Sequence, residues 1–237
     1  MLVRDRKRFD STVTKAVVTV GQGRGFIIQH RVRFPPLKTK ASSVGIKPQR
    51  VRNFIDYRLV VTAAHCLPYF PPCSSMSHYY ERTYKRLLGP LGGLKPQVWA
   101  ECLFADPIGD IAVLGSPDNQ AMENEADAYE ELTEEVPALR VATAPQSGRA
   151  WLLSLDGQWV PCAVTLGRYK GLSIDATPKI EPGMSGSPIL ADDGTVIGVL
   201  SIGAESISGG GVRKPEQTGL QPVLAHDLPA WLLRSAR

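Results

Sequence analysis

The chain has 237 residues, of which 43% are hydrophobic and 21% charged, and its formal net charge is +4. That length buries a core sufficient for one large domain or two small ones sharing an interface, and the composition is that of an ordinary globular protein. No run approaches the ~18 consecutive apolar residues of a membrane span, and Cys66, Cys73, Cys102 and Cys162 are too few for a disulfide scaffold. These cysteines form no CxxC pair and only four histidines accompany them, so neither a metal nor another cofactor is expected. The charged start MLVRDRKRFD has no apolar run behind it and does not read as a secretory signal, which makes the cytoplasm the expected compartment.

In chain order, KAVVTVGQGRGFIIQH reads as two short β-runs, Val17–Val20 and Phe26–Ile28, joined by a glycine turn. The turn is GxGxG with no third spaced glycine and no helical pattern behind it, which argues against a nucleotide-binding loop. Residues 31–52 hold seven basic side chains and no acid. Pro35, Pro36 and Pro48 and the lack of aromatics other than Phe34 favour a solvated loop over a nucleic-acid contact. Further β-runs follow at 58–64, 98–104, 110–115, 149–155, 159–166, 187–191 and 195–203, each bounded by Gly, Pro or Asp. Asp156-Gly157 and Asp193-Gly194 each stand between two such runs, a strong hairpin signal. Residues 118–135 hold eight acids and no base. Within 119–136, Met122, Ala126, Tyr129, Leu132 and Val136 recur at three- and four-residue steps, which predicts an amphipathic helix with an acidic outer face. At the end, HDLPAWLLRSAR predicts a short helix capped by Asp227, with Pro229 in its first turn and Arg234 and Arg237 at its C-terminus. The pattern is all-β, an antiparallel barrel or sandwich. The expected division is 1–117, an acidic linker at 118–137, a second β unit at 138–226, and a terminal helix at 227–237.

Three stretches carry chemistry: VVTAAHC (60–66), DPIGDIAVL (106–114) and EPGMSGSPI (181–189). Acyl transfer through a serine needs a base for the hydroxyl proton, and imidazole suits with its unperturbed pKa of ~6.5. It needs a carboxylate to fix the imidazole tautomer, and backbone N–H donors for the developing oxyanion. Each part has a candidate, and their chain order is His, Asp, Ser. Asp106 competes with Asp110, but the β-run begins directly after Asp110, whereas Asp106 precedes a proline as turn residues do. Ser187 competes with Ser185, but it precedes Pro188 and the next β-run, a packing position. Cys66 and Cys162 read as buried small hydrophobes.

TAAHC, DIAVL and GxSGSP, in this order and at these spacings, resemble the signature blocks of the trypsin/chymotrypsin-like serine peptidase family, and the resemblance runs from about Gly25 to the terminal helix. It implies two six-stranded antiparallel β-barrels with the site between them. His65 would be the general base, Asp110 the orienting carboxylate, Ser185 the nucleophile, and the N–H groups of Gly183 and Ser185 the oxyanion hole. By the same resemblance, Ser201, Ile202 and Gly203 would pair with substrate, and Lys179 would stand where the family selects the P1 residue, which raises an acidic P1. Leu200 occupies the position that holds a histidine in the glutamate-specific branch, which weighs against it.

Two departures stand out. Met184 replaces the aspartate with which secreted members switch themselves on, and no Ile-Val-Gly-Gly activation site lies upstream. No cysteine near Phe26–His30 could pair with Cys66. Both suit a bacterial, intracellular type of peptidase, with the loop held by packing or by an activating or fused partner protein. The expected function is serine endopeptidase, acting on a protein or peptide through an acyl-enzyme on Ser185. The alternatives are a catalytically silent peptide-binding or regulatory member of the same fold, and a nucleic-acid binder using 31–52.

Overall fold

The computed structural model describes residues 9, 11–33, 54–72, 79–118, 120–167, 171–176, 180–201 and 221–233. Helix α1 (Ser11–Lys15) leads into β1 (Val17–Val20). Gly21, at φ +57°, turns the chain into β2 (Gly23–Arg33), which pairs antiparallel with β1 from Val17↔Phe26 to Val20↔Gly23. Next come β3 (Phe54–Thr62), α2 (Tyr79–Arg82), β4 (Thr83–Pro90), β5 (Val98–Asp106) and β6 (Ile111–Gly115). They close as a barrel in the order β1-β2-β3-β6-β5-β4, with β4 pairing back onto β1. Closure leaves no free strand edge, and Val20, Phe26, Val60, Leu88 and Leu114 fill the core without exposure.

Two strands lie where the sequence pattern shows none. In β4, TYKRLLGP carries Lys85 and Arg86 at its centre, and its register against β5 shifts between Tyr84 and Leu88. A bulge breaks the alternation on which a period-two reading depends. The other, β9 (Leu172–Ala176), is five residues long and exposes Ser173 and Asp175.

After β6, a 3-10 turn at Gln120–Met122 precedes helix α3 (Glu123–Glu134), shorter than the 119–136 read from the sequence. Tyr129 is 1% exposed, and its hydroxyl lies 3.0 Å from the carbonyl of Arg58 and 3.2 Å from that of Leu114. The helix therefore lies on the first barrel, apolar face inward and acids outward.

The second half holds β7 (Gly148–Leu153), β8 (Trp159–Leu166), β9, β10 (Pro188–Ala191) and β11 (Val196–Val199), in the order β11-β10-β7-β8-β9. Gly157 at φ +77° and Gly194 at φ +81° sit in the β7–β8 and β10–β11 hairpin loops, where the Asp-Gly pairs place them. Five strands stand where six were expected among the described residues. The sixth place is taken by 221–223, which bridges both sheet edges through Leu172↔Gln221 and Gly198↔Val223. Its mutual bonds with Leu172, at 2.8 and 2.7 Å, satisfy β9 without a full strand.

The chain ends in two turns, α4 (Leu224–Asp227) and α5 (Ala230–Leu233), rather than one helix. Asp227 does not cap the second turn. Its carboxylate reaches back to accept the N–H of Val223 at 2.6 Å, an orphan donor at the start of α4. Arg234 and Arg237 lie outside the described residues, as does 34–52 of the basic segment. Arg31 pairs with Asp56 at 2.6 Å on the surface.

Candidate active site

β3 delivers His65 to the mouth of the first barrel. The strand ends at Thr62, and Ala64–Cys66 form a 3-10 turn whose neighbours Ala63 and Ala64 are fully buried. Small side chains let the turn lie against the barrel while the imidazole stays 44% exposed. Asp110 comes from the loop before β6 at φ +52°, a left-handed conformation that aspartate tolerates better than most residues. Its Oδ1 accepts the His65 backbone N–H at 2.9 Å, and its Oδ2 lies 2.7 Å from His65 Nδ1. The Ser201 hydroxyl donates to the same Oδ2. Nδ1 thus donates its proton to the carboxylate, and Nε2 keeps a free lone pair.

The electrostatics follow from these contacts. The hydrogen bond that His65 donates to Asp110 raises the His65 pKa above the ordinary imidazole value, against the opposing pull of burial. Burial pushes the Asp110 carboxyl up, but the donors from His65 and Ser201 together hold it below the usual carboxylate range. Asp106 does something else: its Oδ1 accepts the Ile108 N–H at 2.8 Å and shapes the loop.

EPGMSGSPI folds as two consecutive turns sharing Met184. The Met184 N–H donates to the Glu181 carbonyl at 3.1 Å, and the Ser187 N–H to the Met184 carbonyl at 3.1 Å. Gly183 and Gly186 hold the third positions at φ +93° and +81°, while Pro182 and Ser185 hold the second with negative φ. That is the type II pattern, which needs glycine where these glycines stand. The N–H groups of Gly183 and Ser185 donate to no acceptor among the described residues. Met184 is 2% exposed and packs into the second core with Leu152, Ile189 and Leu200. Its sulfur also accepts the Glu181 N–H at 3.4 Å. The loop is therefore fixed by an apolar anchor.

The first barrel holds the other side of this loop. The Ser185 carbonyl accepts the Arg24 N–H at 2.7 Å, and a Cβ on Gly23 would lie 2.7 Å from that carbonyl oxygen. Arg24 carries no signal in the sequence beyond a charge inside an apolar run. It is 5% exposed, and its guanidinium donates to the carbonyls of Leu153 at 2.7 Å and Ser154 at 3.1 Å in the second half. Burial lowers its pKa, and carbonyl dipoles rather than a carboxylate satisfy the cation. The side chain is a strut between the halves, directly behind the serine loop.

His65, Gly183 and Ser185 line one cleft of about 830 Å³. No hydrogen bond joins Ser185 Oγ to His65 Nε2 in this state, and such bonds commonly tighten only with substrate. Ser201 lies at the back of the site, its N–H accepted by Gln221 Oε1 and its hydroxyl by Asp110. Lys179, Ile202 and Gly203 lie outside the described residues.

Ser187 is fully buried, and its hydroxyl has no partner among the described residues. Ser187→Ala should therefore stabilise the protein by up to about 1 kcal/mol, because a buried unpaired hydroxyl is a cost. Thermal unfolding should show Tm rising by ~2–4 °C; a fall of that size would mean the hydroxyl is paired. Cys66, Cys102 and Cys162 are free and buried. Burial pushes the thiols of Cys66 and Cys102 up to about 11 and that of Cys162 to about 12, so none is a nucleophile. Cys73 lies outside the described residues. Among the described residues no helix is long and apolar enough to cross a membrane.

Residues 41–199 match the family model of the trypsin-like peptidase domain. The chain belongs to that family. No curated protein matches it by sequence. Among solved structures it is similar to the inactive form of the Rv3671c protease at 19% identity and a TM-score of 0.44, covering 90% of this chain and 85% of that one. A serine-to-alanine mutant of the same protease from M. tuberculosis H37Rv is similar at 17% identity and a TM-score of 0.44, with 93% and 91% covered. The serine endoprotease from Yersinia pestis is similar at 16% identity and a TM-score of 0.45, with 98% and 69% covered.

Proposed function

We propose that the chain is a serine endopeptidase in which His65, Asp110 and Ser185 are the catalytic residues. Ser185 Oγ attacks the scissile carbonyl carbon while His65 Nε2 takes the hydroxyl proton. Asp110 stabilises the imidazolium that results, and the N–H groups of Gly183 and Ser185 hold the oxyanion. As the tetrahedral intermediate collapses, the C–N bond breaks and His65 returns the proton to the leaving amine. Water, deprotonated by the same imidazole, then hydrolyses the ester on Ser185.

The observation that carries this reading is the Nδ1–Oδ2 contact of 2.7 Å behind a histidine that shares its cleft with Ser185. The apolar seat of Met184 supports a loop shaped without an activating charge pair. A fluorophosphonate probe tests the assignment, since it phosphonylates only an activated serine. Wild-type protein should label in minutes and Ser185→Ala should not label at all. A folded, monomeric wild type that stays unlabelled would favour a silent, peptide-binding member of the fold.

A further inference from the structure

The cleft is unevenly charged, and we propose that the enzyme prefers substrates with acidic residues on the carboxyl side of the scissile bond. This rests on the peptidase reading above. The side follows from the chemistry: His65 must protonate the leaving amine, so the C-terminal fragment, which carries that new amine, departs along the wall beyond His65. That wall consists of Gly21–Gly23, Leu67, Pro68 and Lys85–Leu87, all of the first barrel. Ser201, at the back of the site against Asp110, is not part of it.

Lys85 and Arg86 are consecutive in β4, and consecutive strand residues ordinarily face opposite ways. Here both line the cleft. The reason is the irregularity between Tyr84 and Leu88, where Arg86 takes φ +53° and the alternation fails. A bulge that re-aims a side chain toward a reactive site is a recurring device. The Lys85 ammonium lies 4.9 Å from the centre of the ring of Trp99, a residue that does not itself line the cleft. Neither residue forms an ion pair among the described residues, and no Asp or Glu lines the cleft. Arg82, on α2 immediately before β4, differs: it is bound to the buried Glu101 at 2.8 Å. Among the described residues, the two cations lining this wall are thus both without a carboxylate, and an acidic peptide would supply one.

Internally quenched peptides test this. The preferred unprimed sequence is first taken from a mixed library, then joined to primed halves carrying Asp-Glu or Lys-Lys directly after the cleaved bond. The acidic peptide should have a kcat/KM about tenfold higher at low ionic strength, with the gap closing in 0.5 M salt as exposed charges are screened. Arg86→Glu should reverse the preference, and Lys85→Gln, at a residue with ordinary backbone, should reduce it about threefold. A wild type that labels with fluorophosphonate but cleaves both peptides equally overturns the inference and leaves the peptidase reading standing. A wild type that neither labels nor cleaves overturns both.

Discussion

Asp110→Asn should lower kcat/KM by roughly 10⁴-fold and shift the acid limb of its pH profile toward lower pH. The amide can still occupy the site, but one of its heavy atoms is now a donor. Asp110 at present accepts three donors: the His65 N–H, the imidazole Nδ1–H and the Ser201 hydroxyl. An amide cannot accept all three, so the ring loses its enforced tautomer and Nε2 no longer presents a lone pair to Ser185. The sign of the pH effect follows from the same contacts. In the proposed mechanism His65 works as a base only when neutral, and Asp110 raises its pKa, so wild-type kcat/KM should rise through an inflection above the ordinary imidazole value. Without the carboxylate only the lowering effect of burial remains, and the inflection moves down. Linkage adds a stability signature. The raised His65 pKa contributes stability at low pH that fades as pH rises through it. The lowered Asp110 pKa contributes stability that fades as pH falls through the carboxylate range. Peptide hydrolysis measured from pH 5 to 9 checks both rate and inflection. An unchanged inflection in Asp110→Asn would remove the carboxylate from the mechanism.

Gly186→Ala should be among the most damaging substitutions that leave every polar side chain intact. Gly186 has φ +81°, and a Cβ there would overlap the carbonyl oxygen of Arg24 and lie 2.6 Å from Thr62 Oγ1. The Arg24 carbonyl accepts the Thr62 hydroxyl at 2.6 Å, and the Gly186 N–H donates to Leu200 at 2.6 Å, so neither side can yield cheaply. The left-handed conformation alone costs a non-glycine residue about 1–2 kcal/mol. With a backbone clash added, the loss should exceed about 4 kcal/mol and lower Tm by roughly 10 °C or more. Fluorophosphonate labelling should vanish even below the new Tm, because the serine loop can no longer sit on β2. A variant that melts within 2 °C of wild type and labels normally would show that the loop is not wedged against the first barrel.

Much of the fold was legible because its signals are local. The Asp-Gly pairs at 156–157 and 193–194, the valine-rich runs and the three-to-four spacing around Tyr129 each record what their own neighbourhood requires. β4 is hidden because its register shift between Tyr84 and Leu88, with Arg86 at φ +53°, breaks the two-residue period. Asp227 caps backward onto Val223 rather than forward onto the last turn, because a carboxylate can serve either side and only the packed chain decides which donor is orphaned. At the site, residue types and their order pointed to His65, Asp110 and Ser185, since those chemical requirements can be written in sequence.

By itself, the sequence determined the all-β class and the family signature and marked the residues proposed to carry an acyl transfer, because these depend on side-chain chemistry and short-range geometry. The tertiary structure alone decided that Asp110 accepts three donors, that Met184 is buried in the second core, that Arg24 ties the halves together behind Ser185, and that Lys85 and Arg86 both line the cleft. Each of those joins residues far apart along the chain, and contacts of that kind are set by closing two sheets onto each other, for which no stretch of sequence carries the signal.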